Sequence, residues 1–147
     1  MVITTLRVLI HAQLETVWNV LLDSMENPQA YQPQVHESRI IEKSVDGLIR
    51  EMKIDNTIVR ERLIPDKKNN TVYNEVLEHP VYTGDIVIRL APTSVQNPMA
   101  PLTLEYHLKL EVKPDHQGGA VRPEVLLTGA FNDEMARIKQ KAEELED

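Results

Sequence analysis

Arg50 lies in the stretch LIREMKI, in phase with Leu48, Met52 and Ile54. If that stretch is a strand, strict alternation sets a guanidinium on an apolar face. There it needs a carboxylate or an anionic ligand to offset its burial. Glu75 or Glu61 could serve, register permitting, but a bulge that returns Arg50 to solvent is the simpler expectation. Tyr106 occupies the apolar phase of LTLEYHLKLEV, and Tyr73 stands in TVYNEVLE. An acid–base enzyme would require a polar pair of this kind inside a cavity, either Arg50 with Glu75 or Tyr106 with Tyr73. Asp85 and Glu75 are lone strand acids, useful as bases only if desolvated, and a solvated or salt-bridged role is commoner. The sequence names no catalytic group.

Other chemistries find less support. The five histidines (His11, His36, His79, His107 and His116) show no HxxxH or HxH spacing, so neither a metal site nor a cofactor is expected. Cysteine is absent, which excludes disulfides and thiolate nucleophiles, and no GxSxG surrounds a serine. Gly118-Gly119 reads as a turn, as does Asn69-Asn70-Thr71. The formal charge of −7, with Lys and Arg scattered, disfavours nucleic acid or an anionic membrane as partner. No run approaches the ~20 apolar residues of a membrane span. The N-terminus carries Arg7 within its apolar stretch and no small-residue cleavage site. It reads as a strand rather than a signal peptide, and with the lack of cysteine it implies a cytoplasmic protein. Length and even composition suggest one domain over 1–147.

The elements that must position these groups follow from periodicity. Residues 2–10 suit a strand. From Leu14, the apolar residues Val17, Trp18, Leu21, Leu22 and Met25 recur at helical spacing, with Glu15 in the first turn, until Pro28 breaks the run. A short helical turn over Pro28–Tyr31 is expected before Pro33. Strands are predicted over Ser38–Ser44, Leu48–Ile54, Thr57–Ile64, Thr71–Glu78, Thr83–Leu90 and Leu102–Val112. Asp46-Gly47 and Pro65–Asn70 join hairpins, and Ala91–Pro101 and Pro114–Gly119 are read as loop and turn. A final helix begins near Pro123 and Glu124. Leu127, Phe131, Met135, Ile138, Ala142 and Leu145 fall on one face of it. Gly129 inside it suggests a close backbone approach or a bend. Its acidic last residues, at the negative end of the dipole, predict fraying. The order implies an α+β fold: a curved antiparallel sheet of about six or seven strands, with one or two short helices after the first strand and a long C-terminal helix over its concave face.

That order, together with HAQLETVWNVLLDSMENPQAYQP at 11–33 and SRIIEKSVDGLIREMKI at 38–54, resembles the START/Bet v 1-like (SRPBCC, helix-grip) superfamily. Within it the chain is similar to the AtaL-like group, once classed as DUF1857. The resemblance covers nearly the whole chain as topology. It implies a deep, mainly apolar cavity between sheet and final helix that takes lipids, polyketides or other hydrophobic compounds; some relatives are cyclases or dehydratases. On that reading Trp18, Leu22 and Met25 border the cavity, Tyr31 sits at its rim, and Leu104, Tyr106 and Leu108 form its floor. Phe131 and Met135 are its roof, and Arg50, Met52 and Tyr73 contribute from the central strands. Each of these side chains could equally be plain core, and Tyr31 and Tyr106 core aromatics with satisfied hydroxyls. The expected partner is a small hydrophobic molecule, with a homodimer possible. The alternative is a polyketide cyclase- or dehydratase-like enzyme in the same cavity. A third possibility, an interaction module using the outer sheet face, requires a large exposed apolar patch.

Overall fold

A computed structural model describes residues 1–94, 96–97, 99–114 and 123–146, with the backbone alone for 123–127. β1 (Val2–Ile10) leads into α1 (Leu14–Glu26) and a 3-10 turn at Pro28–Ala30. β2 (Val35–Lys43), β3 (Leu48–Ile54), β4 (Thr57–Asp66), β5 (Thr71–Glu78), β6 (Tyr82–Pro92) and β7 (Leu102–Val112) follow, and α2 (Pro123–Leu145) closes the chain. The strands form one antiparallel sheet in the order β1-β7-β6-β5-β4-β3-β2. This is the α+β order that the periodicities predict and the helix-grip architecture that the resemblance implies. β4 and β6 run further than expected, through Pro65-Asp66 and to Pro92. The turn expected over 114–119 lies, beyond Pro114, outside the described residues, as do His116 and the side chain of Leu127.

The two sheet faces are sorted by alternation. On β7, Leu102, Leu104, Tyr106, Leu108, Leu110 and Val112 are all buried. The opposite face carries ion pairs, among exposed apolar side chains such as Ile3, Leu9 and Ile58. Arg39 and Arg60 both reach Glu51, each through Nε at 3.0 Å, and hold its carboxyl below the ordinary range. Arg60 also meets Glu78, and Arg7 meets Glu105. β2, the most exposed strand, pairs with β3 through two register shifts.

α1 buries Val17, Trp18, Val20, Leu21 and Met25, each such side chain contributing about 1.5–3 kcal/mol by leaving water. α2 buries Met135, Ile138 and Ala142, whereas Leu145, placed on the same stripe by spacing, is exposed. The final acids do not simply repel the helix end. Glu143 accepts the His11 N–H at 2.9 Å, and Glu146 accepts that of Gln13. They satisfy backbone donors just ahead of α1 and tie the two helices together, an attraction that the dipole alone does not supply.

Of the two reasons expected for Gly129, a close approach is not made by any of the described residues, since a Cβ built there meets none of their atoms within 4 Å. Gly129→Ala is therefore expected to raise stability by about 0.5–1 kcal/mol, seen as a higher urea midpoint at unchanged slope.

Candidate functional site

β3 and β4 are joined by a two-residue loop, Asp55-Asn56, with Asp55 at a positive φ of 54°. The tight loop leaves Ile54 opposite Thr57 and so sets Arg50 directly opposite Glu61. Both side chains point to the concave face. Arg50 is only 4% exposed, which corrects the expectation that a bulge would carry it to solvent. Its Nε and Nη2 donate to Glu61 Oε1 at 3.0 and 2.7 Å. Nη1 donates to the carbonyls of Ser24 and Met25, at 3.0 and 3.2 Å, in the last turn of α1. The guanidinium thus neutralises a buried carboxylate and satisfies helix-end carbonyls that have no partner within the helix.

The other pairings foreseen from the sequence do not form. Glu75 and Tyr73 lie on the outward phase of β5. Glu75 pairs with Arg62 at 2.7 Å, and Tyr73 donates to Asp85 at 3.2 Å. The inward phase of β5 carries Val72 and Asn74, and Asn74 Nδ2 donates to Glu61 Oε2 at 3.2 Å.

Tyr106 finds its partner on α2. Its hydroxyl donates to Glu134 Oε1 at 2.6 Å, and both residues are buried. Burial drives the Tyr106 phenol well above its ordinary range, and the Glu134 carboxylate adds to this, as does the hydrogen bond to it. Burial also raises the Glu134 carboxyl above its ordinary 4.5; Arg50 and the Tyr106 hydroxyl oppose the rise and Glu61 supports it. Tyr82, stacked on His79 with ring centroids 3.7 Å apart, is shifted upward mainly by burial.

The pH dependence follows. Folded protein holds the Glu134 proton more tightly than the unfolded chain does. The stability this gives is fully present below about pH 4.5 and is lost as pH rises through the raised value. Glu134→Gln keeps an acceptor for Tyr106 and has no such proton to lose. Urea unfolding between about pH 4 and about pH 8 should show the wild type losing stability relative to the variant as pH rises; parallel profiles would contradict the shift.

These groups surround a cavity of about 90 Å³. Ser24 and Met25 of α1 line one end, and Ala130, Phe131 and Glu134 of α2 cover it. Arg50, Met52, Val59, Glu61, Leu63, Asn74, Tyr82, Ile86, Ile88 and Tyr106 form the sheet wall, with Gln32, Gln34 and His79 from the loops. The space exceeds the ~10–15 Å³ that one water needs several times over, and suits a ring or a head group rather than a whole lipid. Its wall is mostly apolar, with Arg50, Glu61, Asn74, Tyr106 and Glu134 as a buried polar set within it.

Of the side chains singled out from the sequence, the fold brings Met25, Arg50, Met52, Tyr106 and Phe131 to this cavity. The rest stand elsewhere among the described residues. Trp18 is packed in the core with Lys67 Nζ 5.2 Å from its ring centre. Leu22 packs at the core's margin, and Leu104, Leu108 and Met135 lie within it. Tyr31 donates to Asp23 at 2.6 Å and borders a surface groove shared with Arg137 and Lys141. Tyr73 is on the outer face. Glu61, Asn74 and Glu134 join the site although the sequence did not single out the last two. A buried carboxyl of raised pKa beside a tyrosine hydroxyl can exchange a proton with an enclosed guest.

No family model and no curated protein sequence matches the chain. Solved structures do share its fold. The di-domain ARO/CYC StfQ from the steffimycin biosynthetic pathway superposes with a TM-score of 0.80 at 12% identity, over 97% of this chain and 51% of that one. The chain thus spans about half the length of that protein. XoxI from Bacillus cereus is similar at a TM-score of 0.70 and 20% identity, covering 100% of this chain and 99% of the other. A START superfamily protein from Mycobacterium smegmatis gives 0.69 and 16%, covering 97% and 98%. At such identities the likeness is one of fold.

Proposed function

We propose that this helix-grip chain binds a small hydrophobic or amphipathic molecule, with the guest's polar end in the cavity between sheet and α2. The observation that carries the reading is a space whose apolar walls, among them Met25, Met52, Ile86 and Phe131, face a buried polar set of Arg50, Glu61, Asn74, Tyr106 and Glu134. Few convergent polar groups in an apolar enclosure is the usual make-up of a small-molecule site. The fold shared with a START superfamily protein and with StfQ supports it as analogy. Placement within the AtaL-like group rests on the sequence resemblance of residues 11–33 and 38–54.

Methionine supplies the test. Met25 and Met52 line the cavity, while Met1 and Met99 are 72% and 83% exposed. With ¹³C-methyl methionine, titration with compact aromatic and aliphatic compounds should shift the Met25 and Met52 signals and leave Met1 and Met99 unmoved. Equal movement of all of them, or none at the cavity pair, would refute a cavity guest. Trp18 is no reporter here, since it packs away from the lining.

A second reading, an enzyme of the cyclase or dehydratase type, is favoured by the Tyr106–Glu134 pair. Loss of water from a β-hydroxyketone needs a base for the α-proton and an acid for the departing hydroxyl. In this reading Glu134 takes the α-proton as the carboxylate that accepts from Tyr106. The C–H electron pair becomes the C=C bond, and the same proton goes to the hydroxyl, which leaves as water. Turnover by the wild type but not by Glu134→Gln would support it. Binding without turnover would leave the first reading alone.

A further inference from the structure

Asn74 defines the chemistry of the guest, an inference that rests on the cavity reading above. The residue is 5% exposed and lines the cavity. Its amide orientation is fixed by its neighbour: a carboxylate only accepts, so Nδ2 must face Glu61 Oε2. Oδ1 is thereby buried with no hydrogen-bond partner, which is true of no other buried side-chain nitrogen or oxygen among the described residues. Such an orphan is costly; it has almost no accessible surface, so a guest reaches it by shifting the side chains that cover it, and by donating to it removes the cost.

The surrounding charges narrow the choice. Arg50 has four of its five N–H donors engaged, two on Glu61 and two on the α1 carbonyls. Tyr106 gives its hydroxyl proton to Glu134. His79 accepts the Val81 N–H at Nδ1, at 3.0 Å. An entering carboxylate would meet the carboxyls of Glu61 and Glu134 and a cation already neutralised.

We propose that Asn74 Oδ1 selects the guest: the cavity takes an uncharged molecule bearing a hydroxyl or N–H donor, in preference to a donor-free analogue or an anion. Phenol, anisole and benzoate test this with the methionine methyls as readout. Phenol should shift the Met25 and Met52 signals with a dissociation constant about tenfold below that of anisole, and benzoate should bind no better than anisole. Asn74→Leu, similar in volume but lacking the acceptor, should bring phenol and anisole within about twofold. Equal binding of phenol and anisole by the wild type, as expected if a water permanently occupies Oδ1, would overturn the proposal. So would tightest binding of benzoate, or a phenol preference that survives in Asn74→Leu. The wild-type ranking is decisive even if the variant folds poorly. Silence of both methyls to all three compounds would overturn the cavity reading and this inference together; a response in the wrong order would overturn only the inference.

Discussion

Glu61→Ala should destabilise the fold by about 3–5 kcal/mol, the cost of leaving a buried guanidinium without its counter-charge. Arg50 and Glu61 are joined by two hydrogen bonds, and neither side chain is more than 6% exposed. Removing the carboxylate also deprives Asn74 Nδ2 of its acceptor. The pair need not be a large net source of stability, because taking both charges out of water costs nearly as much as their attraction returns. A variant carrying Arg50→Met with Glu61→Leu should therefore recover most of the loss, short of the α1 carbonyls that Arg50 no longer satisfies. Urea unfolding of Arg50→Met, Glu61→Leu and the double that combines them gives the coupling directly. A single-variant loss below about 1 kcal/mol would mean that water reaches the pair and that the site is not desolvated.

Gly84→Ala is the second large effect, expected at about 3 kcal/mol or more. Gly84 sits within β6 at φ +130°, and a Cβ there would come 2.2 Å from the carbonyl oxygen of Lys109 on β7. The backbone conformation alone costs a non-glycine residue about 1–3 kcal/mol, and the clash is with main chain that can yield only by parting the two strands. Opposite signs for Gly84→Ala and Gly129→Ala, compared by thermal or urea denaturation, check the contrast. If both proved neutral, the close β6–β7 approach at Gly84 would be wrong.

Much of the architecture was legible because burial imposes a period. The alternation through β7 and the three-and-four spacing of α1 each follow from one buried face. The site was less legible, for three separate reasons. The Arg50–Glu61 pair follows from counting back from the Asp55-Asn56 loop, but alternation alone leaves the register open, so Glu75 looked as good a partner. Asn74 carried a signal in its type, since asparagine is disfavoured in strands and here shares its phase with Val72. Glu134 carried one in its position, three residues after Phe131 and four before Ile138 on the apolar stripe of α2. A glutamate on a helix nevertheless reads as solvated, and the partner that keeps it inside, Tyr106, comes from the distant β7. The fate of the last acids was hidden for the same reason: Glu143 and Glu146 act on backbone more than a hundred residues away.

The way β2 is built bears on self-association. As the terminal strand of the sheet it offers unpaired backbone groups along one side, a template onto which another chain could add. Its two register shifts break the regular spacing such a template needs, and Glu37, Arg39, Glu42 and Lys43 crowd it with charge. Strand-to-strand zippering of copies through β2 is thereby disfavoured.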